Sequence, residues 1–117
     1  MQIVVLDYPQ ECEDDASWEA LRSLGTVIRF RHTSLPELLE RARTADILIT
    51  RRFPFRREVL DYITRPRLIL VPGHQLETLV ETSITRQLGI QVAEFPDEDP
   101  PCGWIQAAAA TVRRAVP

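Results

Sequence analysis

Short apolar, β-branched segments alternate with amphipathic ones along the chain, and this alternation restricts the fold more than any other feature. Five segments have the length and composition of buried strands: residues 2–7, 26–31, 46–50, 67–71 and 90–94. Helical spacing of apolar residues marks the stretches between them, including 16–24, 57–63, 77–88 and 103–116. Parallel strands joined by right-handed crossovers place helices on both faces of a sheet. We predict one α/β domain over residues 1–117, a three-layer sandwich with a flavodoxin-like five-stranded parallel sheet in the order 2-1-3-4-5.

Local signals mark the ends of several predicted helices. Ser34, with Glu37 three residues later, forms the pattern of a capping box before an apolar stripe. Gly25 and Gly89 each follow a helical stretch, where glycine commonly ends a helix in the left-handed conformation.

Composition excludes several classes of partner and chemistry. The net charge is −3 and no face is basic, so we expect no nucleic-acid binding. No apolar run approaches the roughly 18 residues of a membrane span, and the N-terminus lacks signal-peptide features, which predicts no membrane partner and a cytoplasmic location. All 14 basic residues are Arg, which excludes a lysine Schiff base and is typical of a GC-rich bacterial genome.

The cysteines and histidines are few and scattered. Cys12 and Cys102 are too few for a disulfide scaffold, and no metal-ligand spacing occurs. Cys102 precedes the last predicted helix, where the helix dipole favours a thiolate, but no histidine is fixed near it in the sequence. We therefore predict no metal site, no disulfide scaffold and no catalytic thiol at Cys102.

Ligands of open parallel sheets bind beyond the carboxyl ends of the strands, near the point where the strand order reverses. In the predicted topology this rule selects the loops 7–15, 50–56 and 71–77.

Four segments of the chain, in order, resemble one enzyme family. They are DDASWEAL at 14–21 with Leu24-Gly25, ADILITRRFPFRREVL at 45–60, the stretch from Val80-Glu81 to RQLGI at 86–90, and Phe95-Pro96. Together they resemble the substrate-binding domain of hydroxypyruvate/glycerate-type D-2-hydroxyacid dehydrogenases. The resemblance implies a cleft for a small carboxylate metabolite, with Arg52 where the family commonly has a Lys. It also implies that a nucleotide-binding domain would follow Phe95-Pro96.

The sequence departs from that family in two ways. No GxGxxG motif occurs among its four glycines, and the family's catalytic Arg, Glu and His lie in the domain that would follow. We therefore expect no bound cofactor and no hydride transfer by these residues alone. The loop from Pro72 to Leu79 is longer than the family's glycine-containing turn, and Pro72 has no N–H to donate.

The candidate substrate-binding residues lie in the selected loops: Arg52, Gly73, His74, Asp7, Tyr8 and Phe53. The guanidinium of Arg52 presents planar N–H donors that match the two oxygens of a carboxylate. The alternative is that Arg52 is a solvated loop cation. Gly73 and His74 are the remaining donors of a backbone anion nest. Asp7 contacts a ligand or caps the turn that follows it, Tyr8 lines the same cleft, and Phe53 is a pocket wall or covers the sheet.

His74 and Glu77 are the candidate catalytic pair, because His74 can titrate near neutrality and Glu77 could orient it. An ordinary hydrogen-bonded loop histidine is the alternative. His32 follows the second strand and is expected at the surface.

The helix at 103–116 carries an apolar stripe of Trp104, Ala108, Val112 and Ala115. In the two-domain family this segment packs elsewhere, so here the stripe must be buried on the same sheet or on a second copy. We predict a homodimer through this helix.

Three functions remain open. The first is a binding domain for a small carboxylate or a partner protein. The second is a cofactor-independent lyase, isomerase or cyclase using His74, Glu77, Arg52 or Asp7. The third is a fragment of a D-2-hydroxyacid dehydrogenase. Fold alone does not choose among them.

Overall fold

The computed structural model describes residues 1–63, 65–97 and 101–116. Its sheet is parallel throughout and has the strand order β2-β1-β3-β4-β5, as predicted. The strands are β1 (Gln2–Leu6), β2 (Thr26–Phe30), β3 (Ile47–Thr50), β4 (Leu68–Pro72) and β5 (Gln91–Phe95).

Helices cover both faces of the sheet and complete the three layers. They are α1 (Trp18–Arg22), α2 (Leu35–Ala42), α3 (Arg57–Leu60), α4 (Leu76–Leu79), α5 (Thr82–Leu88) and α6 (Gly103–Ala115). The helices α1 and α6 pack on one face, and α2, α3 and α5 pack on the other. The chain therefore has two apolar layers, one on each side of the sheet.

The strand residues explain why both layers form. Successive side chains of a strand point to opposite faces, so Ile3 and Val5 enter one layer while Val4 and Leu6 enter the other. The three inner strands β1, β3 and β4 are apolar on both faces, as expected where helices cover both. The edge strands β2 and β5 are more exposed.

The predicted helix ends are confirmed at two positions. Ser34 Oγ accepts a hydrogen bond from the Glu37 N–H (3.4 Å), and the Glu37 carboxylate accepts one from the Ser34 N–H (3.0 Å). Gly89 ends α5 with a φ of 74°. Gly25 was expected to end a helix. In the structure it allows close backbone packing instead, because a Cβ there would lie 2.5 Å from the carbonyl oxygen of Met1.

The predicted helix over 77–88 is wrong in one respect, because it is two helices. Val80 leaves the helical conformation and forms a single β-bridge with Phe55. The Phe55 N–H donates to the Leu79 carbonyl (2.6 Å), and the Glu81 N–H donates to the Phe55 carbonyl (3.0 Å). These two hydrogen bonds replace helical ones, so the helix is interrupted between α4 and α5.

Cys12 and Cys102 form a disulfide, which the sequence did not lead us to expect. Their Cα atoms are 5.6 Å apart although 90 positions separate them in the sequence, and both residues are buried. Cys12 ends a single 3-10 turn at Gln10–Cys12, and Cys102 immediately precedes α6. The disulfide excludes a reactive thiol at Cys102 in this state.

The apolar side of α6 is buried in the chain's own core. Trp104, Ala108 and Val112 lie in the layer shared with α1, and the Trp104 ring meets the Trp18 ring edge-on at 5.7 Å. The need to cover an exposed stripe therefore no longer supports a dimer through this helix. The homodimer itself stays a prediction.

None of the helices among the described residues is long and apolar enough to cross a bilayer.

Candidate functional site

A cleft of about 1000 Å³ opens at the carboxyl ends of β2, β1 and β3. After β1 the chain crosses to the face covered by α1, and after β3 it crosses to the face covered by α3. The cleft therefore lies at the switch point of the sheet, where ligands of such folds bind. Its lining residues are Asp7, Tyr8, Pro9, Gln10, Glu11, Arg31, His32, Thr33, Arg51, Arg52, Phe53 and Pro54.

Asp7 occupies the first position after β1 and adopts the left-handed conformation, with a φ of 62°. Its N–H donates to the Phe30 carbonyl of β2 (2.8 Å), which holds the strained backbone in place. Burial raises the pKa of the Asp7 carboxyl, against the opposing effects of His32, Arg52 and the N–H groups of Thr33 and Phe53. The Asp7 carboxylate thus lies between the loop after β2, which contains Thr33, and the loop after β3, which contains Phe53.

The two aromatic residues of the cleft are fixed by the fold. The Tyr8 hydroxyl donates to Glu13 Oε1 (3.1 Å), and its ring meets the Trp18 ring edge-on at 5.3 Å. Burial and the Glu13 carboxylate raise the pKa of Tyr8. Phe53 packs against Phe55, with the ring centroids 6.1 Å apart. Both predicted residues therefore line the cleft, with Tyr8 as a rigid wall.

The three arginines of the cleft have different surroundings. Arg51 forms two bonds to the Asp97 carboxylate (3.1 and 3.2 Å), and its guanidinium stacks 4.7 Å from the Trp104 ring centroid. Arg31 lies 3.6 Å from a Glu13 oxygen. Arg52 is exposed and forms no hydrogen bond or ion pair within residues 1–63, 65–97 and 101–116. Of the three, Arg52 is the cation best placed to meet a bound anion.

The loop after β4 lies outside this cleft. The Gly73 N–H donates to the Phe95 carbonyl (2.8 Å), and the His74 N–H donates to a Glu94 carboxylate oxygen (2.9 Å). The two donors of the expected anion nest are therefore engaged by β5. His74 and Glu77 are exposed, and no hydrogen bond joins their side chains. The structure does not bring this predicted pair to the cleft.

His32 and Thr33 contribute to the cleft, although the sequence predicts only a surface position for His32. Both residues follow β2, which pairs directly with β1. The predicted strand order already contained this signal, because neighbouring parallel strands end at the same edge of the sheet. His32 is both exposed and part of the cleft.

Known proteins are similar to this chain in sequence or fold over part of their own length. No family model matches the chain. A hydroxypyruvate reductase of Blautia hydrogenotrophica is 34% identical over 101 residues, which are 82% of this chain and 30% of that protein. The chain is a D-2-hydroxyacid dehydrogenase-like domain. The resemblance in the sequence is thereby confirmed.

Solved structures agree on the fold of this domain. An acyclic imino acid reductase, solved with NADPH and D-Arg, matches 82% of the chain with a TM-score of 0.72 at 18% identity. A D-lactate dehydrogenase of Treponema pallidum matches 97% of it with a TM-score of 0.70 at 17% identity. The domain spans 31% and 35% of those two chains. At such identities the likeness shows the shared fold.

Proposed function

We propose that this domain binds a small carboxylate of the 2-oxo or 2-hydroxy acid class in the cleft at the switch point, with Arg52 as its anchor. The observation that carries this proposal is that Arg52 lines the cleft and is exposed, with no ion-pair partner among the described residues. The substrate class is suggested by the name of the hydroxypyruvate reductase, whose substrate is a 2-oxo acid.

The charges of the cleft support an anionic group at Arg52. A guanidinium presents a planar pair of donors that matches the two oxygens of a carboxylate. The neighbouring Arg51 is already engaged by Asp97, and Arg31 lies beside Glu13. A ligand carboxylate at Arg52 therefore displaces no ion pair of the fold.

Hydride transfer needs more than these residues supply. The 117 residues contain no GxGxxG motif with which to bind a dinucleotide phosphate. We propose that this domain supplies ligand binding, and that any reduction requires nucleotide-binding groups from outside these residues.

A second candidate is acid–base catalysis without a cofactor, and Asp7 is the observation that favours it. Its carboxyl has a raised pKa and shares the cleft with His32. Such a pair could move a proton on the carbon beside a carboxylate. Loss of the 2-position proton signal of D-lactate in deuterated buffer, followed by NMR, would support this candidate over binding alone.

The binding proposal is tested by titrating pyruvate and D-lactate into the wild type, Arg52→Gln and Arg86→Gln, with the affinities measured by calorimetry. Arg86 is an exposed arginine of α5 and serves as the matched control. We expect Arg52→Gln to weaken binding about tenfold, as for the loss of a charge-assisted hydrogen bond, and Arg86→Gln to leave it unchanged. Equal affinities in all three proteins would contradict the proposal.

A further inference from the structure

We propose that the Cys12–Cys102 disulfide is a reversible modification site, through which a dithiol reductant lowers the ligand affinity of the cleft at the switch point. The effect on affinity rests on the proposed binding of a small carboxylate in that cleft. The effect on the turn that contains Cys12 does not, so the two can be measured separately.

The disulfide connects the lining of the cleft to the apolar layer formed by α1 and α6. Cys12 ends the 3-10 turn Gln10–Cys12, and two residues of that turn, Gln10 and Glu11, line the cleft. Cys102 immediately precedes α6, which packs against α1 and β5. A single covalent bond therefore holds part of the cleft wall to a segment 90 positions away in the sequence.

The part of the wall that depends on this bond is small. On either side of the turn, Tyr8 and Glu13 hold each other, because the Tyr8 hydroxyl donates to Glu13 Oε1 (3.1 Å). Gln10 and Glu11 lie between them and are exposed, and the disulfide at Cys12 fixes the end of their turn. Breaking the disulfide therefore loosens Gln10 and Glu11 and leaves Tyr8 in place.

The reaction is thiol–disulfide exchange with a dithiol. Cys102 retains 6% of its exposure and Cys12 has none, so the first thiolate of the dithiol attacks Cys102 Sγ. A mixed disulfide forms there, the protein S–S bond breaks, and Cys12 leaves as a thiolate. The second thiolate of the dithiol then closes its own disulfide and releases Cys102. Two electrons pass to the protein, and the two protons that the dithiol loses are replaced, through solvent, on the two protein sulfurs.

The surroundings of the two sulfurs accommodate the reduced form. Cys12 Sγ lies 3.3 Å from the Pro101 carbonyl oxygen, and Cys102 Sγ lies 3.9 Å from the Glu11 carbonyl oxygen. Each thiol therefore has an acceptor across the same junction once it carries a proton. Cys102 also precedes a helix of 13 residues, and a helix N-terminus favours a thiolate.

The fold has other contacts that keep α6 in place when the disulfide is broken. The Trp18 and Trp104 rings meet edge-on at 5.7 Å between α1 and α6, and both are buried. The Trp18 indole N–H donates to the Cys12 carbonyl (2.6 Å), which ties the turn to α1 by a weaker bond. Reduction therefore makes the turn less ordered without detaching the helix.

The test compares the oxidised and the reduced wild type as binders of pyruvate and D-lactate, with affinities measured by calorimetry. Protein reduced with dithiothreitol is desalted under nitrogen, so that no free thiol reacts with the pyruvate carbonyl. A third sample is reduced and then reoxidised with oxidised glutathione. The double variant Cys12→Ser, Cys102→Ser is taken through the same treatments as the matched control, and circular dichroism verifies that every sample is folded.

We expect reduction to weaken binding about three- to tenfold, because a ligand must then order the wall residues that the disulfide holds in the oxidised protein. Reoxidation should restore the original affinity. The double variant should bind like the reduced wild type and should not respond to either treatment.

Amide hydrogen exchange tests the turn without any ligand. The Cys12 N–H donates to the Pro9 carbonyl (2.9 Å), and the Glu13 N–H donates to the Gln10 carbonyl (3.1 Å). Exchange at Cys12 and Glu13 should be at least about tenfold faster in the reduced protein, because these bonds open locally. The Asp7 N–H, which donates to β2, is the internal control and should exchange at the same rate in both states.

Three outcomes overturn the proposal in distinguishable ways. Equal affinities of the two states, or an affinity that reoxidation does not restore, refute reversible control of binding while carboxylate binding stands. Unchanged exchange at Cys12 and Glu13 refutes the loosening of the turn. If neither compound binds in either state, the proposed function fails and the effect on affinity with it, and the exchange rates alone then decide whether the disulfide controls the turn.

Discussion

Two loops at the same edge of the sheet use a strained residue in opposite ways. Asp7 follows β1 with a φ of 62°, and His74 follows β4 with a φ of 69°. Around Asp7 an open cleft remains, lined by charged groups that include Arg52. Around His74 the backbone N–H groups of Gly73 and His74 donate to β5, so these two donors are not available to a ligand. A positive φ therefore does not by itself indicate a site: the two loops differ in whether polar groups beside the strained residue stay available.

The difference follows from the neighbours of each strand. The register of β4 with β5 places Phe95 opposite Pro72, so the Phe95 carbonyl meets the Gly73 N–H. At β1 and β3 the following segments diverge to opposite faces of the sheet, and no strand continues between them. On the open side, the Cys12–Cys102 disulfide joins the turn that contains Gln10 and Glu11, two residues of the cleft lining, to the residue that precedes α6.

The largest effect is expected from removing the Cys12–Cys102 disulfide, which anchors the loop after β1 at the open cleft. A cross-link over 90 residues restricts the unfolded chain strongly. The double variant Cys12→Ser, Cys102→Ser should lose roughly 2–4 kcal/mol of unfolding free energy, measured by urea denaturation. Wild-type protein under reducing conditions should show a similar loss. An unchanged midpoint in both samples would mean that the disulfide does not stabilise the fold.

The two strained residues can be compared directly with Asp7→Gly and His74→Gly. Each substitution relieves a positive φ but adds freedom to the unfolded chain, so the net change in stability should be within about 1 kcal/mol. Only Asp7→Gly should alter ligand affinity, because only that side chain lines the cleft. A loss of binding in His74→Gly with retained binding in Asp7→Gly would reverse the assignment of the two loops.

The smallest expected effect is the pH dependence contributed by Asp7. Its pKa is raised in the folded protein, chiefly by burial, so the folded state favours the protonated form more than the unfolded state does. This contribution is present at low pH and is lost as the pH rises through the folded pKa. Asp7→Asn should therefore gain stability relative to the wild type from about pH 4 upward. The check is a series of thermal unfolding midpoints for both proteins between pH 3 and pH 7, and a constant difference across this range would be inconsistent with the raised pKa.

The central strands made most of the fold predictable from the sequence. Runs such as Ile3-Val4-Val5-Leu6 are apolar on both faces, which only a doubly covered parallel sheet accommodates. The capping box at Ser34 and the end of α5 at Gly89 were likewise local signals. Local signals therefore located the elements and their order.

The features that the sequence did not reveal depend on contacts between distant segments. The break at Val80 requires the partner Phe55, and the disulfide requires α6 to return to the sheet beside α1. Similarly, Gly73 was predicted to offer its N–H to a ligand, but the register of β4 with β5 determines where that N–H points. Arg52, Asp7, Tyr8 and Phe53 line one cleft because the strand order brings their loops together, and their contact with a ligand stays a prediction.

The placement of the binding site at the switch point is tested most directly by following the backbone amide signals of isotope-labelled protein during titrations with pyruvate and with D-lactate. We predict that the signals of Asp7, Thr33 and Phe53 shift in a saturable manner, while those of Gly73 and His74 stay in place. Saturable shifts at Gly73 and His74 with unmoved signals at Asp7, Thr33 and Phe53 would contradict it and move the binding site to the loop after β4.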